Sequence, residues 1–304
     1  MAALPATAGP VCAPGAVDPP GYVLAGAWGG AGSGPGQFDR LGGIAVSPAG
    51  RLFTVDTGNN RVQMFTTGGA YLGAWGATGA RAGEFDAPRG IALGGAGDIY
   101  VAEQGNRRIQ RFDGSGNFLT QWPIPESAAT ALSGSSLAVD GAGNVFLVDT
   151  HANTIIRYDG AGLSPQRWGV AGSGEGEFLA PSGVAVDRDG TVYVADEGNS
   201  RIQVFSDSGV FLRQWPTPGA DYGHGSFPAF VTIDPMGLLY VIDSSNGWVQ
   251  RFTRDGTPVG GWGAGCRGSV QFMPARGLVV EAAGTIYLAD RESHHVRKLV
   301  PLSP

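Results

Sequence analysis

Apolar and polar residues alternate along most of this chain in short runs separated by turn residues. Residues 182–215 contain four such runs, SGVAVD, TVYVAD, RIQVFS and VFLRQW, with the turn signals RDG, EGNS and DSG between them. Alternation with β-branched and aromatic residues, bounded by Gly, Asn and Asp, is typical of β-strands. No segment keeps a helical period for three turns. The pattern therefore predicts an all-β chain.

The group of four predicted strands recurs along the chain. Tryptophan, acidic and apolar positions each recur six times, in steps of 46 or 47 residues. The three series are Trp28, Trp75, Trp122, Trp168, Trp215 and Trp262; Asp56, Glu103, Asp149, Asp196, Asp243 and Asp290; and Ile44, Ile91, Leu137, Val184, Val231 and Leu278. Four strands in a unit of about 45 residues describe one propeller blade. The sequence predicts a six-bladed β-propeller with four antiparallel strands per blade.

The period also predicts the domain boundaries. We expect residues 1–20 to be a flexible lead and residues 21–304 to form a single domain. The predicted blade units span 41–76, 88–122, 135–169, 181–215, 228–263 and 274–301. The sixth unit ends before its outer strand, whereas Trp28 lies one period before Trp75. We therefore expect residues 22–29 to supply the outer strand of the last blade and to close the ring without an open edge.

The units resemble NHL repeats. One copy, GEFLAPSGVAVDRDGTVYVADEGNSRIQVFSDSGVFLRQWP, spans residues 176–216, and the resemblance covers residues 22–300. It implies a six-bladed propeller but no particular function, because this architecture carries many unrelated activities. Similar propellers include a peptidylglycine amidating lyase, with zinc held by histidines, and gluconolactonase-type enzymes, with a metal held by Glu, Asn and Asp.

Composition and charge narrow the expected partners. The formal net charge is −6, and all of the 20 basic residues except Lys298 are arginines spread along the chain. Nucleic acids and anionic membranes are bound by clustered Lys and Arg, so we expect neither partner. No apolar run approaches the ~20 residues that span a bilayer, so we expect no membrane insertion. We expect a monomer with an extracellular or periplasmic location, as for similar bacterial repeats.

The repeated residues are interpreted as structural. A tryptophan at the end of each outer strand can wedge between blades. A carboxylate at the end of each second strand can accept backbone N–H groups of the next turn. In three blades it can also pair with an arginine one strand later, Arg61, Arg108 or Arg201. Function is therefore expected where a blade departs from the pattern.

The first candidate site lies at the mouth of the central channel, on the face that carries the loops between blades. The residues that open the six inner strands are, in blade order, Gly42, Arg89, Ser135, Ser182, Ala229 and Arg276. Arg89 and Arg276 belong to the blades on either side of blade one. They would hold a carboxylate or phosphate between them. The alternative is that each pairs with a carboxylate of a neighbouring blade or is solvated.

Further candidates lie in the irregular blades three and five. They are His151 in blade three and Tyr222, His224, Phe230 and Trp248 in blade five. The blade-five residues would form an aromatic wall for a ligand or a protein, or would only pack.

Cys12 and Cys266 form either a disulfide across the seam or two unpaired thiols.

These residues lead to the predicted function. The four histidines, His151, His224, His294 and His295, do not open inner strands, so no zinc site is expected. We predict a non-catalytic binding propeller for a protein, glycan or small anionic ligand, with no catalytic residues, metal or cofactor. The alternative is a channel-sited enzyme of the metal-dependent lyase or lactonase type, for which only Asp39 and Asp86 lie near the inner strands.

Overall fold

The chain folds into six four-stranded antiparallel sheets arranged around a channel. This computed structural model describes residues 22–129, 132, 136–217, 227–244, 248–262 and 275–301. Each sheet is one blade, and the strands of blades one to five follow chain order from the inside outwards. The predicted all-β, six-bladed propeller is confirmed.

The strands of the six blades have the following bounds. Blades one to three consist of β2 (Leu41–Val46), β3 (Arg51–Asp56), β4 (Arg61–Thr66), β5 (Tyr71–Trp75); β6 (Pro88–Leu93), β7 (Ile99–Glu103), β8 (Arg108–Phe112), β9 (Phe118–Pro123); and β10 (Leu137–Val139), β11 (Val145–Asp149), β12 (Thr154–Tyr158), β13 (Gln166–Trp168). A short parallel pair, β14 (Val170–Ala171) and β15 (Glu177–Phe178), leads into blade four. Blades four to six consist of β16 (Pro181–Val186), β17 (Val192–Asp196), β18 (Arg201–Phe205), β19 (Phe211–Pro216); β20 (Pro228–Ile233), β21 (Leu239–Asp243), β22 (Trp248–Phe252), β23 (Pro258–Trp262); and β24 (Ala275–Val280), β25 (Ile286–Asp290), β26 (His295–Pro301).

Helical structure in the described residues is confined to short connections. They are α1 (Glu126–Ala129) and two 3-10 turns, Thr57–Asn59 and Glu197–Asn199. Among the described residues no helix is long and apolar enough to span a bilayer.

The two ends of the chain share the last blade. Strand β1 (Tyr22–Gly29) pairs antiparallel with β26, with Tyr22 opposite Pro301 and Trp28 opposite Val296. The sixth sheet therefore has the order β1-β26-β25-β24. This confirms the predicted closure, which occupies the open edge of β26 with a strand from the other end of the chain.

Tryptophans at the ends of the outer strands pack between successive blades. The Trp168 ring lies between Phe146 of its own blade and Phe205 of the next, at 6.3 and 6.1 Å between ring centroids. Its face rests on Gly209, where a Cβ atom would lie 2.7 Å from the indole Cδ2. Gly209 has φ +83°, so the turn requires a left-handed backbone as well as the missing side chain. The wedge predicted for the tryptophan series is therefore present.

Candidate functional site

Each second strand ends in a carboxylate, and in blades one, two and four this carboxylate makes the same pair of contacts, one of them with the loop that leads into the blade. In blade four Asp196 is 0% exposed. Its Oδ1 accepts the N–H of Leu179 at 2.8 Å, and its Oδ2 accepts the Asn199 amide at 2.9 Å. Asp56 and Glu103 make the matching contacts in blades one and two. The structural interpretation of this series is confirmed in these blades.

An arginine one strand later completes the same arrangement. Nε of Arg201 donates to Asp196 Oδ2 at 2.7 Å. Its terminal nitrogens donate to three carbonyl oxygens of the loop, among them that of Glu177 at 2.8 Å. Arg61 and Arg108 bind the loops of blades one and two in the same way. These arginines are therefore structural clamps.

Three blades lack the clamp arginine. The residues at the matching positions of blades three, five and six are Thr154, Trp248 and His295. In blade three Asp149 instead accepts the hydroxyl of Ser127, on α1, at 2.6 Å. In blade six Asp290 pairs with Arg297 at 2.8 Å. In blades three and six the carboxylate thus has a partner other than an arginine at the clamp position.

The predicted channel-mouth residues lie in β-bulges at the start of the inner strands. In β6, Pro88 pairs with Glu103 and Gly90 pairs with Ala102, so Arg89 is the extra residue. The matching residues of β16, β20 and β24 are Ser182, Ala229 and Arg276. A bulge redirects a side chain and is frequent beside functional sites. The sequence identified this position but not its backbone geometry.

The inner strands form a closed ring in blade order. Strand β2 contacts β24 on one side and β6 on the other. Arg89 and Arg276 therefore belong to the strands that flank blade one, whose matching residue is Gly42. Arg89 is half-buried.

Other predicted residues have different surroundings. The Ser182 hydroxyl donates to the Pro228 carbonyl of the next blade at 3.0 Å and connects the two blades. Phe230 is 8% exposed and belongs to the core cluster of Ile242 and Leu278, rather than to a loop. His151 is exposed in the turn after β11. Outside the described residues lie Ser135, Tyr222, His224, Cys12, Cys266 and the side chains of Arg276 and Trp248.

The opposite end of the channel carries a feature that the sequence analysis missed. A cavity of about 340 Å³ lies within the ring of inner strands. The last residues of the inner strands line it and form what we call the aliphatic ring: Val46, Leu93, Val139, Val186, Ile233 and Val280. The signal was available, because these residues follow the recurring apolar series by two positions.

The turns between first and second strands surround this end of the channel, which we call the turn face. Oδ1 of Asp187 accepts the N–H groups of Asp189 and Thr191, both at 2.9 Å. Its Oδ2 accepts the Tyr193 hydroxyl at 3.2 Å. Burial, with the neighbouring Asp187 charge, raises the pKa of Tyr193 to about 12. The Asp187 carboxylate therefore caps its own turn. Among the described residues, no three His, Cys, Asp or Glu side chains are grouped as metal ligands.

The six sheets, with clamp arginines at matching positions in three of them, define a β-propeller built from sequence repeats. The profile of the NHL repeat matches residues 38–65, 178–205 and 226–252. The chain is thus an NHL-repeat protein with six blades. A search of curated protein sequences finds no match.

Solved structures with the same fold have several functions. Virginiamycin B lyase from Staphylococcus aureus is 16% identical, with a TM-score of 0.60 over 92% of this chain and 98% of the lyase chain. A gluconolactonase from Xanthomonas campestris is 18% identical, with a TM-score of 0.58 over 87% and 86% of the two chains. A chain of a nidogen–laminin complex is 15% identical, with a TM-score of 0.54 over 73% and 79%. Identities this low show a shared fold only.

Proposed function

We propose that this propeller is a non-catalytic binding protein with its ligand site at the channel mouth on the loop face. The observation that carries the proposal is the pair of bulge arginines. Arg89 and Arg276 occupy matching positions of β6 and β24, and these strands flank β2. Between them Gly42 contributes no side chain. Arginine on either side of one blade suits a carboxylate or phosphate, which guanidinium groups bind in pairs of hydrogen bonds.

The charges around blade one support an anionic ligand. The carboxylates of Asp56 and Glu103, which end the second strands here, are bound by Arg61 and Arg108 of their own blades. Their negative charge is therefore offset locally. We propose a small anionic ligand, or an acidic group on a protein or glycan, bound by an exported monomeric propeller.

Thermal unfolding in the presence of ligands tests the proposal. The panel would hold sugar acids, lactones, small carboxylates and phosphates. A ligand at 100 times its dissociation constant adds about 2.7 kcal/mol to the free energy of unfolding. Arg89→Gln and Arg276→Gln should each reduce the shift. The control is Arg40→Gln, whose side chain is 53% exposed and lies 3.7 Å from Asp39. Equal shifts in all variants would contradict the proposed site.

The same panel separates binding from catalysis. The lyase and gluconolactonase likenesses concern the fold, but they make lactones and divalent metals worth including. A stoichiometric channel metal whose removal abolishes turnover of a panel compound would overturn the non-catalytic proposal in favour of the metal-dependent alternative.

A further inference from the structure

A second concave surface lies on the turn face, opposite the proposed anion site. It is a depression of about 910 Å³ over the turns of blades one to four, with Pro235 of blade five at its edge. Val46, Leu93, Val139 and Val186 of the aliphatic ring line both this depression and the channel cavity. The two spaces therefore share an apolar floor. We call this surface the turn-face depression.

Small turn residues in blades one and two form its walls. Blades three to six have an acidic residue directly after the aliphatic ring, whereas blades one and two have Ser47 and Gly94. The blade-two turn continues as Gly95, Ala96 and Gly97, all of which line the depression. The space is therefore a consequence of two blades that depart from the repeat.

Two arginines line the depression; Arg51 donates to the carbonyl oxygen of Gly114 at 3.2 Å, and Arg188 is the candidate to bind a ligand. Arg188 lines both cavities, and its side chain is 78% exposed. Its ion pair with Asp189 is long, at 3.9 Å, whereas Arg254 binds the same Asp189 carboxylate at 2.6 Å. The Asp187 carboxylate already accepts hydrogen bonds from the backbone of its own turn and from the Tyr193 hydroxyl.

A second carboxylate at the rim, that of Asp140, also accepts hydrogen bonds from its own turn. Oδ1 of Asp140 accepts the N–H groups of Ala142 and Asn144, and its Oδ2 accepts the Asn144 amide at 2.7 Å. The rim acids are thus engaged in the turns, and Arg188 extends over the apolar floor.

We propose that the turn-face depression binds a small amphiphile with one unbranched apolar chain and one carboxylate. The chain would lie on the aliphatic ring, and the carboxylate would bind the Arg188 guanidinium. Ligand sites of this size are mostly apolar with a few polar groups that set orientation, and cavities lined by aliphatic side chains accept apolar ligands. This site is independent of the one proposed on the loop face.

Isothermal titration with n-alkyl carboxylates tests the chemistry. Butanoate to decanoate would be compared with the matching primary alcohols, all below their micelle concentrations. We expect affinity to rise about fourfold for each added methylene, until the floor is covered. Arg188→Gln should weaken the carboxylates at least about fivefold and leave the alcohols unchanged. The matched control, Arg40→Gln on the loop face, should change neither series.

A filling variant tests the location. The Cβ atom of a residue at position 141 would meet nothing within 4 Å, and Gly141 does not have a positive φ. Gly141→Leu should therefore fold with an unchanged melting temperature and block both ligand series. Arg89→Gln should leave the alcohol series and the dependence of affinity on chain length unchanged, which separates this site from the loop face. No binding by the wild type, no dependence on chain length, or wild-type affinity in Gly141→Leu would each overturn the proposal. Equal carboxylate and alcohol losses in Arg188→Gln would do the same.

Discussion

Replacing the clamp arginine of blade four with methionine is expected to destabilise the propeller strongly. Arg201 donates to Asp196, and its terminal nitrogens donate to the carbonyl oxygens of Ser173, Gly174 and Glu177, each at 2.8 Å. Methionine retains an apolar chain of similar length but supplies none of these donors. The Arg201→Met variant therefore removes the positive charge while leaving the packing of the stem largely in place.

The magnitude follows from burial. The Asp196 side chain is 0% exposed and the Arg201 side chain 10%. Removing one partner of a buried ion pair costs about 3–5 kcal/mol, because the other charge stays buried. Asp196 keeps donors from Leu179, Asn199 and Gln203. We therefore expect a loss near the lower end, about 3 kcal/mol of the free energy of unfolding.

Urea unfolding followed by tryptophan fluorescence measures this loss. The midpoint should fall while the slope with denaturant stays the same. The control Arg40→Met removes an exposed arginine and should change stability by less than about 0.5 kcal/mol. Asp196→Asn combined with Arg201→Met should cost less than the two single losses added together, because the pair is coupled. A loss below about 1 kcal/mol in a correctly folded Arg201→Met protein would refute the clamp as a main stabilising contact.

Two further variants test the wedge and the buried phenols. Gly209→Ala should destabilise more than Gly190→Ala, because both residues have φ +83° but only the former would place a Cβ against Trp168; equal losses in urea would contradict the wedge. The pKa of Tyr193 is raised to about 12 from an ordinary 10.0. Its protonated form stabilises the fold fully below pH 10, and this contribution is lost as the pH rises from 10 towards 12. Tyr193→Phe should therefore flatten the alkaline decline of the free energy of unfolding; an unchanged slope would contradict this assignment.

Much of the fold could be predicted from the repeat, whereas the contacts made in the irregular blades could not. The period of the tryptophan and acidic positions predicted the blades, the closing strand and the clamp of Asp56 with Arg61. In blade five, Phe230 stands where other blades have a small residue, and the sequence left open whether it contacts a ligand or only packs. The structure places it in the core, because the neighbouring strands β21 and β24 contribute Ile242 and Leu278 around it.

The turn-face depression could not be seen in the sequence for a physical reason. Gly94, Gly95 and Gly97 read as an ordinary turn, since turn chemistry is local. Their effect depends on the next blade: a Cβ atom on Gly95 would lie 2.9 Å from the carbonyl oxygen of Gly141. That proximity arises only when the blades are packed side by side.

By itself the sequence determined the strands, their number and the residues that repeat in each blade. These properties follow from the alternation of side chains along a strand and from local turns, which a linear pattern records. The tertiary structure alone decided which residues of different blades meet. Packing of neighbouring blades brings Gly95 against Gly141, and closure of the ring places Arg188 above the aliphatic ring. Such contacts join distant parts of the chain, and no local pattern encodes them.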